Sequence, residues 1–188
     1  MLSAVGYSQE NNASPYSYYG IGDVKFKGTV ENRAMGGLSI LPDSIHVNLQ
    51  NPAMYNSLKW TTYTVGASVK DTKFKTSSAT DQASRGTFDY LAVAIPFKKF
   101  GAAFGLLPYT SVGYKIDNTR DVNGVDYRTR FYGSGGINRA FAGASFKILD
   151  NLSVGANFQY NFGNIETKSI RGAAGVQYPT REINDSHY

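Results

Sequence analysis

The sequence predicts an all-β protein, an antiparallel β-barrel of the outer-membrane kind, and three observations carry that prediction. From Leu58 onward apolar and polar residues alternate with a period of two, over runs long enough to cross a bilayer as strands. The composition is that of exposed β structure: 14 Tyr and 11 Phe bring aromatics to 14%, whereas charged residues reach only 18%. No run of about 18 apolar residues is present, which argues against a membrane-crossing helix and leaves open a barrel, whose strands need only about 9 to 11 residues.

Other bulk properties narrow the function classes. The 188 residues suffice for one domain with a sizeable core. Zero cysteines remove disulfides and thiolate metal sites and select no compartment. A net charge of +5 would attract anionic lipid or lipopolysaccharide phosphate. The Lys and Arg residues are scattered and form no run of five, so nucleic acid is not expected as a partner. His46 and His187 are the only histidines, and neither falls on a predicted strand. A Ser-His pair or a metal site has little to build on, and the chain reads as a non-enzyme with no cofactor.

Taken in order, residues 1–9 read as the end of a secretory signal, with an apolar Leu2–Val5 and small Ser3, Ala4 and Gly6, but without a basic start. A short disordered tail is the other reading. Residues 10–57 form a distinct segment, punctuated by Gly36-Gly37, Pro42 and Asn51-Pro52, too broken for an ordinary helix or strand. Residues 58–188 then carry the strands.

The first strand places Tyr63, Val65, Ala67 and Val69 on one face. The second, 87–97, places Leu91, Val93, Ile95 and Phe97 on one face with Ala92 and Ala94 opposite, and Pro96 sits near its end. The third, 100–116, is read as a single face of Phe100, Ala102, Phe104, Leu106, Val112, Tyr114 and Ile116. The fourth, 125–148, is interrupted by Gly133-Ser134-Gly135-Gly136, which predicts a bulge or kink. In the fifth, Leu152, Val154, Ala156, Phe158, Tyr160 and Phe162 alternate with Ser153, Gly155, Asn157, Gln159, Asn161 and Gly163; the first set is expected to face lipid.

Polar stretches at 77–86 and 117–124 predict long loops, and "KKFG" and "LDN" predict tight turns, an asymmetry typical of outer-membrane barrels. No further strand is expected after the fifth. Single-chain bacterial barrels have an even number of strands from eight upward, so five strands predict a piece of a longer barrel. A complete five-stranded soluble sheet, or a lipocalin-like binder with the wet face outside, is the competing reading.

Arg33-Ala34-Met35-Gly36-Gly37, then Asp43-Ser44, then Asn51-Pro52-Ala53, together with 133–163, resemble the FadL/TodX-type outer-membrane transporters of long-chain fatty acids and other hydrophobic compounds. The resemblance implies a fourteen-stranded barrel in which Arg33, Ala34, Met35, Gly36, Gly37, Asn51, Pro52 and Ala53 belong to a plug folded into the lumen. It implies passive uptake of hydrophobic molecules, with Gly133, Ser134, Gly135 and Gly136 as a lateral gate or, equally, a bend needed only for packing. Arg128, Arg130 and Arg139 either line a path for a fatty carboxylate or sit as solvated rim charges. The same residues resemble the PorV-like relatives, which implies as the alternative a component of type IX protein secretion with secretion-machinery partners.

Overall fold

A computed structural model describes residues 15–75, 80–122, 125–173 and 179–188. Within them the chain is an all-β antiparallel sheet with little helix. The long strands are β2 (Thr62–Lys75), β3 (Thr80–Phe97), β4 (Phe100–Val122), β5 (Val125–Leu149), β6 (Leu152–Ala173) and β7 (Thr180–His187), hydrogen-bonded in chain order. A two-residue strand, β1 (Asp23–Val24), pairs with β4 from the segment that precedes the sheet. Among the described residues the sheet is open, with β2 and β7 at its edges. The expected signal remnant at 1–9 lies outside the described residues.

Three expectations about the strands are corrected. The polar stretches at 77–86 and 117–124 are mostly strand where they are described, since β3 starts at Thr80 and β4 runs to Val122. A sixth long strand, β7, follows where none was expected, pairs with β6 from Arg171↔Thr180 to Asn164↔His187, and carries the second histidine. β5 is paired on both sides through Gly133–Gly136 without a register shift, so no bulge falls at these glycines, of which Gly135 and Gly136 instead allow neighbouring backbone to approach closely. These extensions carry polar residues on both faces, so no alternation marks them; the backbone ladder needs none.

Register explains a fourth correction. The β4–β5 pairing shifts between Pro108 and Thr110, so Tyr109 is an extra residue in β4. A one-residue slip exchanges the two faces of everything beyond it. Phe104 and Leu106 therefore point to one side, while Val112 and Tyr114 point to the other and join Ile137 and Ile165 in a buried cluster. The third strand has no single apolar face. A second bulge, at Gly66/Ala67 opposite Tyr90 and Phe88, inserts Asp89 into β3 and turns its carboxylate toward the same side as Tyr90.

The sheet thus has two unlike faces. The inner face is built from small or polar residues at its centre: Ala92, Ala94, Gly101, Ala103, Gly143, Ser145 and Gly155. The segment 15–61 lies on it, and Val47, Leu49, Tyr55 and Leu58 pack against Tyr90, Ala92, Ala94, Ala103, Leu107 and Phe141 to make the core. On the outer face Val65, Leu91, Phe97, Phe100, Phe104, Leu106, Val154, Phe158 and Tyr160 are all exposed. Phe158 is 74% accessible and Tyr63 76%. Monomeric soluble proteins rarely leave so continuous an apolar surface uncovered.

Candidate functional site

The segment on the inner face is held in shape by local chemistry suited to a chain without a ladder of its own. A short helix, α1 (Val30–Ala34), is capped by Thr29, whose hydroxyl accepts the Asn32 N–H, and ends at Met35, after which Gly36 and Gly37 adopt φ of 70° and 88°. Left-handed backbone of that kind favours glycine. Asn32 Nδ2 donates to Leu38 O at 2.9 Å, and Asn48 Oδ1 accepts the N–H groups of Gln50 and Asn51 at 3.1 and 3.0 Å. Asn51 then caps the 3₁₀ turn Pro52–Ser57, its Oδ1 accepting from Ala53 N–H at 3.1 Å, with Pro52 at the first position where a missing N–H costs nothing.

That turn seats on the sheet through two glycines. A Cβ at Gly155 would lie 2.5 Å from Ala53 N and Pro52 C, and one at Gly101 would lie 2.5 Å from Asn56 N. Tyr55, fully buried, donates its phenolic hydrogen to Asn157 Oδ1 at 3.1 Å, and Asn56 Nδ2 donates to Ser153 Oγ at 3.1 Å. Burial raises the Tyr55 phenol above its ordinary value. Replacing Asn51 by Ala is expected to cost about 1 kcal/mol, the usual worth of an N-cap. A urea titration followed by Trp60, the only tryptophan, reads it as a lower midpoint at unchanged slope.

Higher on the inner face the N-terminal segment enters a gap in the sheet. The β3–β4 ladder stops at Leu91↔Leu106, whereas β2–β3 continues to Lys75↔Thr80 and β4–β5 to Val122↔Val125. The two bulges lie at this level, and Pro108 has no N–H to offer a neighbour. Into the gap comes β1, paired with Thr110 and Ser111, with Lys25 N–H donating to Tyr109 O at 2.8 Å and Gly113 N–H to Ser17 Oγ at 3.2 Å. Between β1 and β3 a cavity of about 560 Å³ remains, lined by Lys25, Arg33, Lys70, Arg85, Asp89 and Asp23 among others. Arg33 lies 3.7 Å from Asp89, whose Oδ1 also accepts from the Ser68 and Thr87 hydroxyls. Val30 N–H donates to Tyr90 Oη at 3.1 Å, a second anchor for α1.

The sequence-predicted residues fall into separate places. Asn51, Pro52 and Ala53 meet the sheet at Gly155, Arg33 reaches the cavity, and Met35 is exposed at the end of α1. Gly133 makes room for the Tyr114 ring, and Gly135 takes φ of 114° against the β6 backbone. Arg139 stacks on Tyr109 at 3.8 Å and its Nε donates to Asn161 on the inner face. Arg128 and Arg130 instead pair with Asp117 at 3.5 and 3.0 Å on the outer side of the strand extensions. His46 is paired with Asp43 at 2.8 Å. No group of three or more His, Asp or Glu suited to a metal occurs among the described residues. Leu152–Phe162 presents its apolar set to the exposed outer face. Sequence reasoning missed Lys25, Lys70, Arg85 and Asp89: the alternation of β3 assigns 85 and 89 to the apolar face, and only the bulge opposite Gly66/Ala67 turns them inward.

No curated protein and no solved structure matches the chain. The BamG family model matches residues 1–188. This overturns the resemblance to FadL/TodX transporters and, with it, the fatty-acid channel, the hydrophobic compounds as partners and the PorV-like secretion alternative. The residues that carried the resemblance explain the error: Gly36-Gly37 and Asn51-Pro52-Ala53 are turn and cap chemistry, which specifies how a segment folds and says nothing of what it handles. Membership points to association with the outer membrane of a Gram-negative bacterium. Matched from its first residue to its last, the chain belongs to the BamG family.

Proposed function

We propose that this chain works in the assembly of proteins into the outer membrane, alongside the assembly machinery, as part of the wall of a membrane β-barrel whose inner face is occupied by residues 15–57. The observation that carries the reading is the uncovered outer face. Its apolar residues span Leu152–Phe162 on β6, which matches the roughly 9 to 11 residues that a tilted strand needs to cross a bilayer, and Phe100–Leu106 on β4 lies in the same band. Aromatics mark both ends of the band: Phe100 and Phe146 sit 4.7 Å apart near the tight turns, and Tyr160 and Phe162 stack at 6.1 Å near the other end. Beyond it, charged pairs such as Arg130–Asp117 and Lys168–Glu166 take over on the same face. The family match supports the assembly role, and no catalytic step or cofactor is assigned.

Two experiments test it. Depleting the protein in cells is expected to lower the folded, heat-modifiable barrels in the outer membrane while unfolded forms accumulate; unchanged levels sink the assembly role. The placement in lipid has a separate readout, because the chain has no cysteine of its own. Phe158→Cys in intact membranes is expected to resist a water-soluble maleimide and accept a lipophilic one, and free reaction with the water-soluble reagent refutes a lipid-facing band.

A further inference from the structure

The cavity between β1 and β3 combines two features that the wall reading does not need. One is a strand edge: from Arg85 to Tyr90, β3 pairs with β2 on one side and with no strand on the other among the described residues. An edge of this kind is a template for an incoming extended chain. The other is charge. Lys25, Arg33, Lys70 and Arg85 face Asp23 and Asp89, and Arg33 already answers Asp89. Burial lowers the Lys25 ammonium below its ordinary value, with the nearby Asp89 opposing and Lys70 adding to the fall. A partly desolvated lysine beside a second lysine and an arginine favours an anion.

The volume helps to choose the occupant. About 560 Å³ is of the size that holds a ligand of many atoms, far beyond a bare oxyanion. Val24 and Phe26 contribute apolar walls to the same space. Cationic side chains, apolar side chains and a free ladder edge together suit a polypeptide better than a phosphate.

We propose that the cleft between β1 and the free edge of β3 receives an extended, acidic segment of a client polypeptide, added as a strand to β3 with its carboxylates against Lys25, Lys70 and Arg85. The identity of the occupant as a client rests on the assembly reading; the acidic strand docking itself rests on the cleft. Backbone pairing supplies affinity, and the cations select alternate acidic side chains, which share a face in an extended chain.

The test is direct binding of capped octapeptides to the full chain in detergent micelles, measured by fluorescence anisotropy. A peptide alternating Val and Asp is expected to bind, and its Asn counterpart, or one with Pro at every third position, to bind at least tenfold more weakly. Lys25→Gln with Arg85→Gln is expected to cause a similar loss, while Arg128→Gln, outside the cleft, leaves affinity unchanged. Should the double variant misfold, Thr87→Cys cross-linking to a cysteine-bearing acidic peptide keeps the question open to measurement: a cross-link competed by the Val/Asp peptide supports the docking. Equal binding of the Asp and Asn peptides, indifference to proline, or competition by acetate alone overturns it. Normal barrel assembly after depletion, with acidic-strand binding intact, removes the client identity and leaves the docking site standing.

Discussion

Alanine at both Gly101 and Gly155 is expected to lift the Pro52–Ser57 turn off the sheet. At each position the added methyl meets main-chain atoms of the turn, Asn56 N in one case and Ala53 N with Pro52 C in the other, at 2.5 Å. A flexible side chain could swing away from such a contact, but a capped turn with proline at its head cannot. Overpacking of this sort costs about 1–3 kcal/mol per site, and both sites act on one rigid turn, so their effects are expected not to add simply. The loss reaches further than the two contacts, because Tyr55 leaves its fully buried place and Asn157 and Asn56 lose their partners.

Two readouts follow from that displacement. Trypsin cleavage at Lys59 is expected to become fast, since the turn no longer holds the chain against the sheet. The Tyr55 phenol, raised by burial in the parent chain, is expected to titrate at its ordinary value. An acid raised on folding binds its proton more tightly in the folded state, so its contribution is present below the unfolded pKa and is lost as pH rises past about 10. The doubly substituted chain loses that alkaline component. Gly86→Ala serves as the control, since an added Cβ there meets nothing within 4 Å. Equal effects of Gly86→Ala and the pair would show that the turn is not what the glycines accommodate.

Much of the sheet was legible because its central part obeys one simple rule. Leu152–Phe162 alternates without fault, and there the structure keeps register with β5 from Leu149↔Leu152 to Asn138↔Phe162, with one shift next to the turn. Legibility fails at two kinds of place, each for a physical reason. Bulges are silent in a hydrophobicity pattern: Tyr109 is one extra residue, yet it sends Val112 and Tyr114 to the face opposite Phe104. Strand extensions are silent because hydrogen bonds between main chains do not depend on apolar side chains, and so 117–122 looked like a loop while pairing with 125–130. The cleft combines both failures. Lys25, Lys70, Arg85 and Asp89 come from three separate stretches, and only the divergence of β3 from β4 after Leu91↔Leu106 brings them together. The turn residues Gly36-Gly37 and Asn51-Pro52 were read correctly as local chemistry; the family inferred from them was not, since the same chemistry serves any segment that must fold without a ladder.

On the proposed barrel-wall reading, Phe158→Arg is expected to destabilise the folded protein by about 2–4 kcal/mol, the cost of a cation on the lipid face of a barrel near the bilayer midplane. Phe158 sits midway along the apolar run of β6 and is 74% accessible, touching little of the protein itself. In water that exposure predicts the reverse: a surface change of this type falls within about 0.5 kcal/mol of neutral. The sign and size therefore report the solvent around the residue, not its packing. The profile along the strand is the sharper test. Leu152, at the end of the run beside the tight turn, is expected to accept arginine at about 0–1 kcal/mol, the cost near an interface. Guanidinium-dependent insertion into vesicles measures both. A steep fall in stability at Phe158 with a small one at Leu152 places a depth-dependent medium against this face; a flat and small response at both positions means that water covers it, and the barrel-wall reading fails with it.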